Sequence, residues 1–198
     1  MSAARNRNPV SVETYLADEI HASVKREYLG GFVYAMAGAR IVHNTISGNV
    51  FAALHNQLRG KPCRPFNSDT KVRVRLPNQT RFYYPDAMVV CRSNDPHSSF
   101  QDEPVVIVEV LSKATRRADE GEKKDAYLTI SSLSVYVLVE QDSAVARVFR
   151  RTENGFACET FEGLEKTILL PEVDAALTLA EIFATVEFVP EPNDELDV

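Results

Sequence analysis

Seven consecutive residues, Val105-Val106-Ile107-Val108-Glu109-Val110-Leu111, are apolar except at one place. A short, unbroken apolar run of this kind suits a strand covered on both faces. The carboxylate inside it then becomes the problem to solve. An ionised acid in an apolar setting costs several kcal/mol or more unless it is neutralised, paired or bound to a cation. A second acid, Asp86, opens another apolar run just after Pro85. If the two strands are neighbours, Asp86 and Glu109 converge at their ends.

The pattern around these runs predicts one domain, at residues 9–189, with disordered ends at 1–8 and 190–198. Ser11 caps a helix running to Ile20, and Gly30-Gly31 turns a hairpin between Arg26–Leu29 and 32–37. Ile46, Val50, Ala53, Leu54 and Leu58 recur at helical spacing from Asn44 until Gly60 and Pro62 stop the run. Lys71–Leu76 alternates as a half-exposed strand, and Pro77-Asn78 turns toward a strand from Tyr84 to Val90. After a polar loop, 92–104, and the strand Val105–Leu111, one helix is expected from Arg117 to Thr129. Val135–Glu140, Ala144–Arg151 and Phe156–Phe161 read as strands, with Asn154-Gly155 turning the last two. A small helix, Leu177–Phe183, follows. This order predicts an α/β, mixed α+β fold with a mixed sheet flanked by helices.

The three cysteines, Cys63, Cys91 and Cys158, stand singly without C-x-x-C spacing, so neither zinc nor a disulfide framework is expected and a reducing compartment fits. The first residues lack the apolar core of a signal peptide and no apolar run is long enough to span a membrane, which reads as cytoplasmic. A net charge of −6 argues against non-specific coating of nucleic acid. A local basic region remains at Arg64, Lys71, Arg73, Arg75 and Arg81, which reads equally as a solvated strand face.

Convergent carboxylate oxygens suit a hard divalent cation, magnesium or manganese. Such an ion polarises a phosphoryl oxygen and acidifies an attacking water, so phosphodiester hydrolysis fits. Asp119, Lys123 and Tyr127 are four apart and share one helical stripe. From it Lys123 could reach the sheet and stabilise a pentavalent phosphate. The same stripe also fits an exposed Asp-Lys pair and a packing tyrosine, and Lys124 is the less favoured lysine.

The string PD…EVL, followed by Ser112, Thr115, Asp119, Lys123 and Tyr127, resembles the Uma-two family of restriction-endonuclease-like proteins within the PD-(D/E)XK nuclease superfamily. The resemblance runs from about Pro9 to Phe183. It implies a restriction-endonuclease-like fold, a magnesium-dependent DNA endonuclease and a homodimer, with Asp86, Glu109 and Lys123 catalytic. By the same resemblance Asp86 and Glu109 are metal ligands and Glu27 a further one, although Glu27 also fits a surface pair with Lys25 or Arg40. His43, Asp69, Asp119 and Tyr127 are expected around them; a helix-entry cap for His43 and a turn for Asp69 are the plainer alternatives. Thr115 reads as a helix cap. The chain departs from the superfamily at Leu111, where lysine is usual, and leucine carries neither charge nor donor. That departure and the acidic charge keep open an inactive nuclease-fold module that binds nucleic acid or protein.

Overall fold

A computed structural model of the chain describes residues 8–36 and 38–188. The expectations for the two ends therefore fall, Asn8 apart, outside the described residues. The first helix, α1 (Val12–Glu19), is capped by Ser11, whose hydroxyl accepts from the Thr14 amide. The hairpin β1 (Arg26–Leu29) and β2 (Phe32–Ala35) turns at Gly30 and Gly31, both at positive φ, where only glycine sits without cost. Helix α2 (Ile41–Leu58) buries Ile46, Val50, Leu54 and Leu58. It begins a turn earlier than the periodicity predicted.

The central region holds more strands than the pattern showed. β3 (Arg64–Asn67) includes Pro65 and lies at the edge of a six-stranded sheet, the position where a missing amide is tolerated. β4 (Lys71–Leu76) and β5 (Gln79–Tyr83) form a hairpin across Pro77-Asn78. The strand expected from Tyr84 to Val90 is thus shorter, β6 (Ala87–Val90), because Tyr84-Pro85-Asp86 breaks the chain between two sheets. The polar loop contains a brief strand, β7 (Phe100–Gln101), and leads to β8 (Pro104–Val110).

The single helix expected over 117–129 is two. α3 (Arg116–Glu120) and α4 (Glu122–Leu128) meet at Gly121, where a Cβ would stand 2.9 Å from the Arg117 carbonyl oxygen. β9 (Val135–Val139), β10 (Val145–Thr152) and β11 (Gly155–Glu162) follow as anticipated. The last segment differs again. β12 (Thr167–Leu170) pairs with β13 (Ala175–Thr178), and α5 (Leu179–Ile182) is only one turn, opened by a Thr178/Glu181 capping box.

The fold is mixed α+β, with mixed sheets flanked by helices. One sheet runs β2-β1-β5-β4-β7, a second β11-β10-β9-β8-β6-β3, and β12-β13 form a third of two strands. In the second, β8 and β9 are parallel and joined through α3 and α4, while β6 and β8 are antiparallel. Alternation along β8 sends Val106, Val108 and Val110 into a core with α2 and α5. Ile107 and Leu111 face a second core shared with Val72, Val74, Tyr83 and Tyr127. Glu109 belongs to the second side by parity.

The cysteine expectation is corrected. Cys63 and Cys91 form a disulfide, and Cys158 is free and exposed. The pairing Arg64↔Val90 between β3 and β6 carries the two residues to opposite positions one step beyond the strands. A sequence separation of 28 hides that. The thiol-count argument for a reducing compartment loses its premise. No helix among the described residues is long and apolar enough to cross a membrane.

Candidate functional site

The antiparallel register Ala87↔Val108, continued by one residue, sets Asp86 opposite Glu109. The two then cross-bond: the Asp86 amide donates to Glu109 Oε2 at 3.2 Å, and the Val110 amide donates to Asp86 Oδ2 at 2.7 Å. Breaking the strand at Pro85 frees the Asp86 amide from the ladder for this contact. The two acids that stood out in the sequence are therefore neighbours.

Around them the fold gathers the other candidates. Lys123 enters from α4 with its ammonium 3.0 Å from Glu27 Oε1, 3.4 Å from Asp119 Oδ1 and 3.5 Å from Glu109 Oε1. The Tyr83 ring lies beneath it, 5.7 Å from Nζ to centroid. Glu27 thus joins the interior lysine and not the surface partners Lys25 or Arg40 considered above. The Tyr127 hydroxyl donates to Glu109 Oε1 at 3.0 Å, and the Tyr136 hydroxyl donates to the Asp119 carbonyl at 3.0 Å. His43, in the first turn of α2, brings Nε2 to 3.2 Å from Asp86 Oδ2.

Not every candidate joins. Asp69 is exposed in the Asn67–Thr70 turn, accepts an ion pair from Lys25 at 2.6 Å and takes the turn role. The Thr115 hydroxyl engages Ser112 and makes no cap bond to its helix, although the residue occupies the cap position. Lys124 points its ammonium over the Phe149 ring. Leu111 fills the core beside Tyr127, and the buried ammonium among the acids is that of Lys123, on α4. Tyr83 and Tyr136 were not singled out in the sequence, where aromatic residues in strands read as core.

The electrostatics are unbalanced. Four carboxylates, Glu27, Asp86, Glu109 and Asp119, face one ammonium and one imidazole. Burial pushes the Glu109 carboxyl well above the usual range; Lys123 opposes this, while Asp119, Asp86 and Glu27 add to it. Burial likewise raises Asp119 despite Lys123. For Lys123 burial works against the charge, yet Glu109, Glu27 and Asp119 outweigh it and hold the ammonium protonated. His43 is raised because Asp86 outweighs its burial. Asp119 Oδ1 is buried with the Lys123 ammonium at 3.4 Å as its charged neighbour. A surplus of buried acid oxygens fits a hard cation. Among the described residues, however, no three carboxylate, imidazole or thiolate groups already stand at metal-ligand spacing.

The cluster opens on one side. Glu27, Asp86 and His43 keep 16%, 15% and 13% of their side chains exposed, whereas Glu109 and Asp119 are sealed. The basic region of β4 and β5 is mostly spent internally: Arg73 and Arg75 both pair with Asp102, and Arg81 pairs with Glu122. Lys71 is buried and donates to the Tyr84 hydroxyl.

A family model described as "Putative restriction endonuclease", Uma2, matches residues 12–181. Two proteins of Synechocystis sp. are similar along most of the chain. Uncharacterized protein slr1290 is 33% identical over 147 residues, covering 74% of this chain and 76% of its own length. Uncharacterized protein sll1609 is 30% identical over 130 residues, covering 64% and 72%. The crystal structure of "a putative nuclease belonging to DUF820" from Anabaena variabilis shares the fold, with a TM-score of 0.68 at 13% identity over 88% of this chain and 98% of that one.

Proposed function

The chain belongs to the Uma2 family, and from that premise we propose that it is a divalent-metal-dependent endonuclease hydrolysing phosphodiester bonds of DNA. The observation that carries the reading is the packing of Glu27, Glu109 and Asp119 around one buried ammonium, with Asp86 beside Glu109 and paired to His43, at the open end of β6 and β8. A structural ion pair needs one acid per base; this cluster holds more acid than Lys123 and His43 balance, and a bound cation would offset it as protonation of Glu109 and Asp119 does without one.

Asp86 and Glu109 would hold magnesium or manganese, with Glu27 as a further oxygen donor. When bound, the ion supplies charge for a phosphoryl oxygen and a more acidic water. The chain's own residues do the rest. His43 and the Val110 amide fix the Asp86 carboxylate, and the Tyr127 hydroxyl fixes Glu109. Lys123 is the cation positioned for the charge that develops on the phosphate. Its place on α4 is chemically equivalent to one on the strand, because what counts is where the ammonium sits. A homodimer, in which two such sites address two strands, is part of the same proposal.

The test is cleavage of plasmid DNA with magnesium or manganese, alongside calorimetric titration of the metal. Asp86→Ala and Glu109→Ala should each abolish both; cleavage surviving in both variants would overturn the reading. The inactive-module alternative is favoured by Leu111 and by the lack, among the described residues, of a preassembled ligand set. It predicts no Glu109-dependent metal binding.

A further inference from the structure

The edge strand β2 carries two exposed aromatic side chains, Phe32 at 43% and Tyr34 at 38% exposure. In the β1–β2 register Tyr34 stands opposite Glu27 and Phe32 opposite Leu29. Directly opposed residues of an antiparallel pair project to the same face. Glu27 reaches Lys123 from that face, and Leu29 packs on the core beneath it. The two aromatics therefore lie on the site's side of the sheet, one strand beyond Glu27, and Glu27 is on the open side of the acid cluster. Val33, between them, turns to the other face and packs with Tyr15, Tyr28 and Phe82.

Exposed aromatics beside the proposed phosphodiester site offer base faces a stacking surface. The chain is net acidic, and Arg73, Arg75, Arg81 and Lys25 are engaged in ion pairs. At these four positions phosphate neutralisation, the main source of duplex affinity, is weakly provided. Ring stacking on a base face is the other general source, and it requires bases out of the duplex stack. Resting on the nuclease reading above, we infer that Phe32 and Tyr34 form a stacking platform for unpaired bases, so that the strand delivered to the site is single-stranded or locally opened nucleic acid.

The chain contains no tryptophan, so Tyr34→Trp installs a sole reporter on the platform. In EDTA, where cleavage is blocked, this variant is titrated with an oligothymidylate of roughly twelve nucleotides, within the span one binding groove tracks, and with a matched duplex. Expected are quenching by the single strand, little by the duplex, and about tenfold weaker strand binding in Phe32→Leu/Tyr34→Leu, which keeps apolar bulk but removes the rings. Absence of quenching, equal binding of strand and duplex, or wild-type strand binding by the leucine pair would each overturn the platform. So would conversion of a wild-type dimer to monomer by the leucine pair, which would assign the strand edge to a second copy. The two proposals separate cleanly: duplex cleavage dependent on Asp86 but indifferent to the leucine pair removes the platform alone. Quenching without metal-dependent cleavage removes the nuclease and leaves a strand-binding surface.

Discussion

Replacing Lys123 with methionine keeps the side chain's length and removes its charge from the centre of three carboxylates, at 3.0, 3.4 and 3.5 Å. Breaking a buried pair by deleting one partner costs about 3–5 kcal/mol. A second route to the magnitude agrees. The variant can relieve the repulsion by protonating one more acid, which for a carboxyl of ordinary pKa costs about 4 kcal/mol at pH 7 and about 1.4 kcal/mol at pH 5. The pH dependence in that window belongs to the acids. Lys123 is raised above the ordinary lysine value, so its contribution is complete below that value and is lost only as pH rises through the folded one. Urea unfolding of both proteins in EDTA should show Lys123→Met less stable by about 4 kcal/mol at pH 7, shrinking to about 1.4 kcal/mol at pH 5. A loss under about 1 kcal/mol at pH 7, or one that does not shrink, would refute the picture of one ammonium neutralising several buried acids.

Three other outcomes follow from the same geometry. Glu109, Asp119 and His43 all have folded pKa values raised above their ordinary ones, so each favours the folded state below its ordinary pKa and loses that contribution as pH rises through its folded value. Melting temperature in EDTA should therefore fall as pH rises above the ordinary carboxyl range, roughly pH 5 upward, with a shallower fall in Glu109→Gln; a rise would contradict the shifts. Tyr127→Phe removes the hydroxyl that donates to Glu109 Oε1 and should cost about 1–3 kcal/mol by leaving a buried oxygen short of a donor, read by chemical denaturation. Cutting the Cys63–Cys91 bond by Cys63→Ala/Cys91→Ala opens a loop whose ends are 28 residues apart and should lower stability by about 3–4 kcal/mol on the chain-entropy account; an unchanged urea midpoint would count against the bond.

Much of the scaffold was legible because single periodicities decide it. Ile46, Val50, Leu54 and Leu58 can share a face only on a helix, and Val105–Leu111 can be satisfied only as a covered strand. The elements that escaped were those whose local signals conflict. Pro65 speaks against β3 until its edge position makes the missing amide harmless. Gly121 sits inside a helical stripe, and only the closeness of the Arg117 carbonyl reveals the break. The T-x-x-E pattern at Thr178 and Glu181 was a readable signal for the start of α5, masked by an apolar run that continued through it.

The sequence by itself determined the chemistry on offer: two acids embedded in apolar runs, and Asp119, Lys123 and Tyr127 spaced to share a stripe. Tertiary structure decided their company. The β6–β8 register made Asp86 and Glu109 neighbours, the β1–β5 pairing carried Glu27 inward to Lys123, and the same folding left Asp69 outside in its turn. It also closed Cys63 on Cys91. Such pairings depend on the alignment of strands far apart in the chain, and a register shift of one residue would have turned each of these side chains to the opposite face.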